Sequence, residues 1–281
     1  MILTPLQERV LGVLAKVAER NGFAMGGGVA LQALGVVARP TEDFDIYHPS
    51  IDPDVYTKVE QDLTQTLEAA GFKTSITKSM DWFRCIKVED PENGESVKID
   101  LGMMGRTRPV GRHPQVGDVL DIEDLRASKV DALVTRHAPR DYIDTYSIIQ
   151  TGAWTVAEIN EYVARFHSDA EQGQWKQVLA SIATIPPSTF AEYEIDATEL
   201  AKITKFFTAW AETIPSSTPA SVADVALALD APAALADVRP PSTGYCLDEA
   251  TTQRLTSENG TAGDDPAQYR WQPPTGPSMR L

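Results

Sequence analysis

Met25-Gly26-Gly27-Gly28-Val29-Ala30-Leu31 is followed, after a short gap, by Arg39-Pro40-Thr41-Glu42-Asp43-Phe44-Asp45-Ile46-Tyr47. The glycines predict a tight turn from a short strand (Phe23 to Met25) into a short helix through Leu31 and Leu34. The free backbone N–H groups and positive end of such a helix can cradle phosphate oxygens. A Walker P-loop is excluded, because no Gly-Lys-Ser/Thr follows. Residues 43–48 read as a strand, in which Asp43 and Asp45 share one face while Phe44 and Ile46 take the other. Val97-Lys98-Ile99-Asp100 repeats the pattern on a later strand, with Asp100 on the face away from Val97 and Ile99. If the two strands are neighbours, three carboxylates meet at one edge of a sheet. Their repulsion calls for cations, and carboxylate oxygens suit Mg²⁺. Two such ions, about 3.5–4 Å apart, serve phosphoryl transfer.

The elements around this stretch predict an α+β (mixed α/β) fold. Thr4, Pro5 and Gln7 mark a helix start, and Leu6, Val10, Leu11, Leu14 and Val17 continue it at helical spacing. Residues 53–70 read as an amphipathic helix closed by Gly71. Two strand-like runs, about 73–78 and 82–89, precede a turn with an Asn93-Gly94 signal, and Val97–Met103 is the returning strand. Helices are expected over 122–136, 140–150, 156–166 and about 197–213. These readings divide the chain into a core over 1–152, a helical region over 153–239, and a Pro/Gly/Thr-rich tail over 240–281 read as flexible.

Lys129 falls in the middle of the apolar stripe Ile122, Leu125, Ala132 and Leu133, so its ammonium must reach a cleft or an anion. A triphosphate is one such anion, and Arg136 lies on the same stripe. Asp141 and Asp144 share a helix face with Arg140 and Ser147, a pattern that any solvated face also shows. The chain's 281 residues carry 25 Lys/Arg against 40 Asp/Glu, a formal charge of −15. Neither half is basic, so a nucleic-acid contact must rely on a local patch. Arg106, Arg108, Arg112 and His113 form the candidate. Cys85 and Cys246 stand in no disulfide or zinc pattern, and the four histidines lack metal spacing. No membrane span or signal-peptide core is expected, which makes the cytoplasm the default compartment.

Taken as a set, these residues resemble the polymerase-β-like nucleotidyltransferases. They are closer still to the AbiEii/AbiGii (MenT-like) toxin nucleotidyltransferases of abortive-infection and type IV toxin–antitoxin systems. Gly27, Gly28, Ala30, Leu31, Arg39, Thr41, Asp43, Asp45, Lys129, Arg140, Asp141 and Asp144 carry the likeness, over about residues 20–150. The resemblance implies a polymerase-β-like core, transfer of a nucleoside monophosphate from an NTP to an acceptor hydroxyl, and release of pyrophosphate. It implies a tRNA 3′ end as the acceptor and a cognate antitoxin as partner. Asp43, Asp45 and Asp100 would hold the metals, with Asp100 also helping to deprotonate the acceptor. Gly27 and Gly28 would bind phosphates, with Arg39 and Thr41 beside the nucleotide. Lys129 would neutralise the triphosphate, and Asp141 or Asp144 would orient Lys129 or the nucleotide. The acidic charge is a departure that suits a cationic small-molecule acceptor of the aminoglycoside type. A catalytically silent NTP-binding module is the third reading, against which four intact polar site residues speak.

Overall fold

The computed structural model describes residues 1–215; the tail read at 240–281 and the stretch before it lie outside the described residues. Helix α1 (Pro5–Arg20) starts as its sequence predicts: Thr4 and Gln7 form a reciprocal capping box around Pro5. The chain then passes through strand β1 (Ala24–Met25), helix α2 (Gly27–Ala33), strand β2 (Asp43–His48) and helix α3 (Pro53–Ala69). Asp52 caps α3, and Gly71, at φ +92°, supplies the left-handed residue just beyond its end. Three strands follow, β3 (Lys73–Met80), β4 (Phe83–Glu89) and β5 (Ser96–Met103). A short hairpin, β6 (Gly111–His113) and β7 (Gly117–Val119), completes a seven-stranded sheet of order β3-β4-β5-β2-β1-β7-β6.

β2 and β5 are neighbours and run parallel, in a sheet that is otherwise mostly antiparallel. Phe44 and Ile46 of β2 and Ile99 of β5 are fully buried. Val10, Leu14 and Val17 of α1, and Val59, Leu63 and Leu67 of α3, are buried too. Arg84 of β4 reaches Glu60 of α3 at 2.8 Å, and Thr74 of β3 donates to Glu68, which fixes α3 on that side of β3 and β4. The opposite side of these strands carries the carboxylates. Alternation therefore does here what it predicts, one face for packing and one for chemistry.

Compactness divides the described chain at Leu125/Arg126, inside helix α4 (Ile122–Thr135). The reason lies in helix α5 (Pro139–Gln150), whose partners are C-terminal helices. The second unit continues with α6 (Val156–Phe166), α7 (Asp169–Ser181), a 3-10 turn (Ile182–Thr184), α8 (Pro187–Ala191) and α9 (Ala197–Thr213). Tyr142 of α5 meets Phe207 of α9 edge-on at 5.1 Å and donates its hydroxyl to the Val178 carbonyl at 2.6 Å. Trp175 and Trp210 both donate to the Asn160 side-chain oxygen, each at 3.1 Å. That one amide satisfies two indoles and ties α6, α7 and α9 together.

Candidate active site

The site in the first unit is a product of strand register. Pairing sets Asp45 directly across from Asp100 and Asp43 across from Lys98. Asp43 and Asp45 therefore share a face with Asp100, as the alternation requires. All three are partly exposed, and they lie on one face of interior strands, not at the edge of the sheet that the sequence suggests.

The glycine turn abuts this face. Gly26 donates its N–H to the Asp45 carbonyl at 2.8 Å, holding the turn against β2. Gly27 adopts φ +59°, and a Cβ there would run into the Asp45 carboxylate. Only glycine allows both the conformation and the approach. At Gly28 a Cβ would lie 2.9 Å from the Thr41 hydroxyl and 3.3 Å from the Arg39 guanidinium. Arg39 and Thr41 are buried, 3% and 6% exposed. Their backbone is clamped from two helices, since Gln32 donates to the Arg39 carbonyl at 2.8 Å and Gln7 donates to that of Thr41 at 2.6 Å. The residues that carry the family likeness in this unit thus converge on the start of α2 and the carboxylate face.

A divalent cation fits the chemistry of this face. Asp100 Oδ1 is buried and accepts no hydrogen bond, a costly state for a carboxylate oxygen that a cation would relieve. Burial pushes the Asp100 carboxyl above the usual range, and the neighbouring Asp43 pushes it the same way, against the pull of the Cys85 thiol, Lys98 and Lys78. The trio is set by register and is not a closed cage. Among the described residues no three His, Cys, Asp or Glu side chains stand close enough to hold an ion as they are placed.

The second unit holds the remaining predicted residues. Lys129 is 7% exposed, and its ammonium lies 3.0 Å from Asp144, which is fully buried. The anion that a lysine on an inward stripe must find is thus supplied by α5, in the position for Asp144 to orient Lys129. Asp141, also fully buried, takes two N–H groups of Arg136 at 2.9 and 2.8 Å and the Ala138 N–H at 3.0 Å. Both acids face inward, so the solvated-face reading of α5 does not hold. Asp141 closes the first turn of its own helix, and it is Asp144 that reaches Lys129.

The basic cluster expected after Asp100 is not a patch. Arg106 is half-buried and donates to the carbonyls of Gly22 and Tyr47. Arg108 pairs with Glu123, and Arg112 with Glu19 and Asp118. Neighbouring acids, some of them distant in sequence, neutralise it.

Three aspartates on one face of neighbouring strands, beside a glycine turn, suit a nucleotidyltransferase. The chain belongs to the AbiEii family, nucleotidyl transferase toxins of type IV toxin–antitoxin systems, whose model matches residues 9–231. It is accordingly a nucleotidyltransferase, and membership implies a nucleotide substrate and an antitoxin partner. Among solved structures it is similar to JHP933 from Helicobacter pylori, at 16% identity and a TM-score of 0.46, covering 75% of this chain and 92% of that one. It is also similar to MenT4, a nucleotidyltransferase toxin from Mycobacterium tuberculosis, at 14% identity and a TM-score of 0.48, over 75% and 83% of the respective chains. No curated protein matches it in sequence. Among the described residues no helix is long and apolar enough to cross a membrane.

Proposed function

We propose that this nucleotidyltransferase moves a nucleoside monophosphate from an NTP to the 3′ end of a tRNA, in the cytoplasm, with Mg²⁺ held by Asp43, Asp45 and Asp100. The observation that carries the proposal is the β2–β5 register, which sets Asp45 opposite Asp100 beside the Gly27 turn. Bound Mg²⁺, two ions in the expected stoichiometry, supplies charge neutralisation at the phosphates and lowers the pKa of the attacking hydroxyl. Gly27 and Gly28 carry no side chains of their own and lie against Asp45, Thr41 and Arg39, so phosphate oxygens at the start of α2 would meet backbone N–H groups beside these three residues. Arg39 and Thr41, fixed behind Gly28, add a cation and a hydroxyl. Asp100, besides holding metal, helps to take the proton of the acceptor hydroxyl. The hydroxyl oxygen bonds to the α-phosphorus as the bond to the bridging oxygen breaks, and pyrophosphate leaves. Lys129, oriented by Asp144, neutralises the triphosphate, and Asp141 supports the turn leading into that helix.

The test is incubation of purified protein with Mg²⁺, total tRNA and each α-labelled NTP in turn. Label in tRNA that disappears with Asp45→Ala supports the proposal and names the nucleotide. NTP consumption with no label in RNA would overturn the acceptor assignment. The charge of −15 favours one second reading, a cationic small-molecule acceptor. Expression in growing cells separates the two, since a tRNA-modifying toxin halts growth and a resistance enzyme does not.

A further inference from the structure

The acidic chain carries a local exception on the open side of its sheet. Register defines three cross-strand rows there. The first runs Lys78, Cys85, Asp100, Asp45; the second runs Ser75, Lys87, Lys98, Asp43; the third runs Lys73, Glu89, Ser96. Residues opposed across paired strands point to the same face. Four lysines therefore share the face of the three candidate catalytic aspartates, and two of the rows end on those aspartates. Lys73, Lys78 and Lys98 are exposed, and Lys87 is partly so, 3.0 Å from Glu89. Neighbouring strands lie ~4.8 Å apart and alternate residues along a strand ~6.6 Å, so the lysines spread over a track ~15 Å wide that leads to Asp45.

A simpler account covers only part of this. Lysines on an edge strand deter edge-to-edge pairing, and β3 is an edge. β4 and β5 are interior strands, so that account leaves Lys87 and Lys98 unexplained. The register also shifts between Ile76 and Lys78, which sets Lys78 instead of Thr77 opposite Cys85. A bulge of this kind re-aims a side chain, and here it turns a lysine toward the row that contains Asp100 and Asp45. Lys98 and Lys78 are near enough to pull the Asp100 carboxyl downward against its burial.

We propose that the open face of β3, β4 and β5 is the track on which the acceptor RNA lies, Lys73, Lys78, Lys87 and Lys98 holding its phosphodiester backbone as the 3′ end reaches Asp100. The charge complementarity is specific to this face, because the arginines after Asp100 are spent on local acids or on backbone carbonyls. The proposal rests on an RNA acceptor, and binding tests it independently of transfer.

The experiment measures binding of unmodified tRNA to the full chain by fluorescence anisotropy over a range of salt. The proteins are the wild type, a Lys73→Gln/Lys78→Gln/Lys98→Gln variant, and a Lys16→Gln/Lys58→Gln control on the exposed sides of α1 and α3. Each lost phosphate contact lowers the log–log salt slope by about 0.7–0.9, so the triple variant should lose about 2–3 while the control keeps the wild-type slope. The KM for RNA should rise at least ~10-fold with the KM for NTP unchanged. A triple variant that binds like the wild type, or a wild type that binds no tRNA, overturns the track. Lysine-dependent binding without nucleotide transfer to the RNA would keep the track and overturn the acceptor assignment.

Discussion

Two sets of aspartates in this chain have opposite surroundings. On β2 and β5, Asp43, Asp45 and Asp100 are partly exposed on one sheet face, and one oxygen of Asp100 is buried without a partner. On α5, Asp141 and Asp144 are fully buried and each meets a cation, Arg136 and Lys129. An acid that is buried and paired is spent on the fold. An acid held on a sheet face with an oxygen unsatisfied is a cost the fold carries, which a ligand can remove. The difference separates positions where substitution should abolish chemistry from positions where it should first unfold the protein.

The largest expected effect lies on the sheet. Asp45→Ala should reduce nucleotide transfer to background while the protein stays folded. Thermal melts with and without Mg²⁺ check this apart from activity: the ion should raise the Tm of the wild type and leave that of Asp45→Ala unchanged. Asp100→Asn should raise the Tm of the metal-free protein at pH 7. The sign follows from the raised carboxyl: the folded state holds the Asp100 proton more tightly than the unfolded state, so ionisation at neutral pH opposes folding. A metal-free Asp100→Asn protein less stable than the wild type would break the comparison on its first side.

On α5 the order should reverse. Asp144→Ala strands a buried lysine, and breaking one side of a buried ion pair costs about 3–5 kcal/mol. Urea titration should show that loss, with activity falling in step with the folded fraction. Replacing both partners, Lys129→Met with Asp144→Leu, should recover most of the stability and none of the transfer. Recovery of both would show that Lys129 serves packing alone.

Local signals make much of this legible in the sequence. β2, α6 and α9 fall where alternation or helical spacing places them. β6 and β7 are not legible, because three-residue polar strands carry no periodicity. α7 escapes a reading by apolar spacing, although Ser168 and Glu171 form a capping box that announces its start. At the site, facing carboxylates can be read along each strand, but that β2 lies beside β5 cannot, since α3, β3 and β4 intervene. The burial of Asp141 and Asp144 is hidden for another reason: their partners, Arg136 and Ala138 for one and Lys129 of α4 for the other, are set by how α4 and α5 pack, which helical spacing alone does not give. The lysine face is visible in the sequence only as one or two lysines on each of three strand-like runs, and it needs the β3 bulge and the pairing to become one surface.

His48 tests a third kind of group, a titratable side chain held neutral. Burial, helped by Arg106, pulls its pKa down to about 4. Its Nδ1 accepts the Ser50 N–H at 3.0 Å, and its ring lies 5.0 Å from Phe23. The unfolded chain then binds the proton more readily, so stability is full above pH ~6.5 and falls as the pH drops toward 4. The loss should be about 1–3 kcal/mol across that window. His48→Asn, which keeps an acceptor but does not titrate, should flatten the curve between those limits.

The smallest effect should come from an acid that is paired but lies in water. Asp62 of α3 takes two N–H groups of Arg20 and one from Asn21, and the Arg20 hydrogen bonds hold its carboxyl down at about 2. A depressed carboxyl contributes stability above the unfolded value near 4 and loses it as the pH falls through about 2. That window lies below the one assigned to His48, so a single acid titration of the wild type and Asp62→Asn separates the two. Exposed pairs are screened and contribute little, and Asp62→Asn should therefore shift the melt far less than Asp144→Ala does, although both remove a carboxylate from a cation. Equal losses would mean that pairing alone sets the cost, whereas the contrast between α5 and the sheet face requires burial to set it.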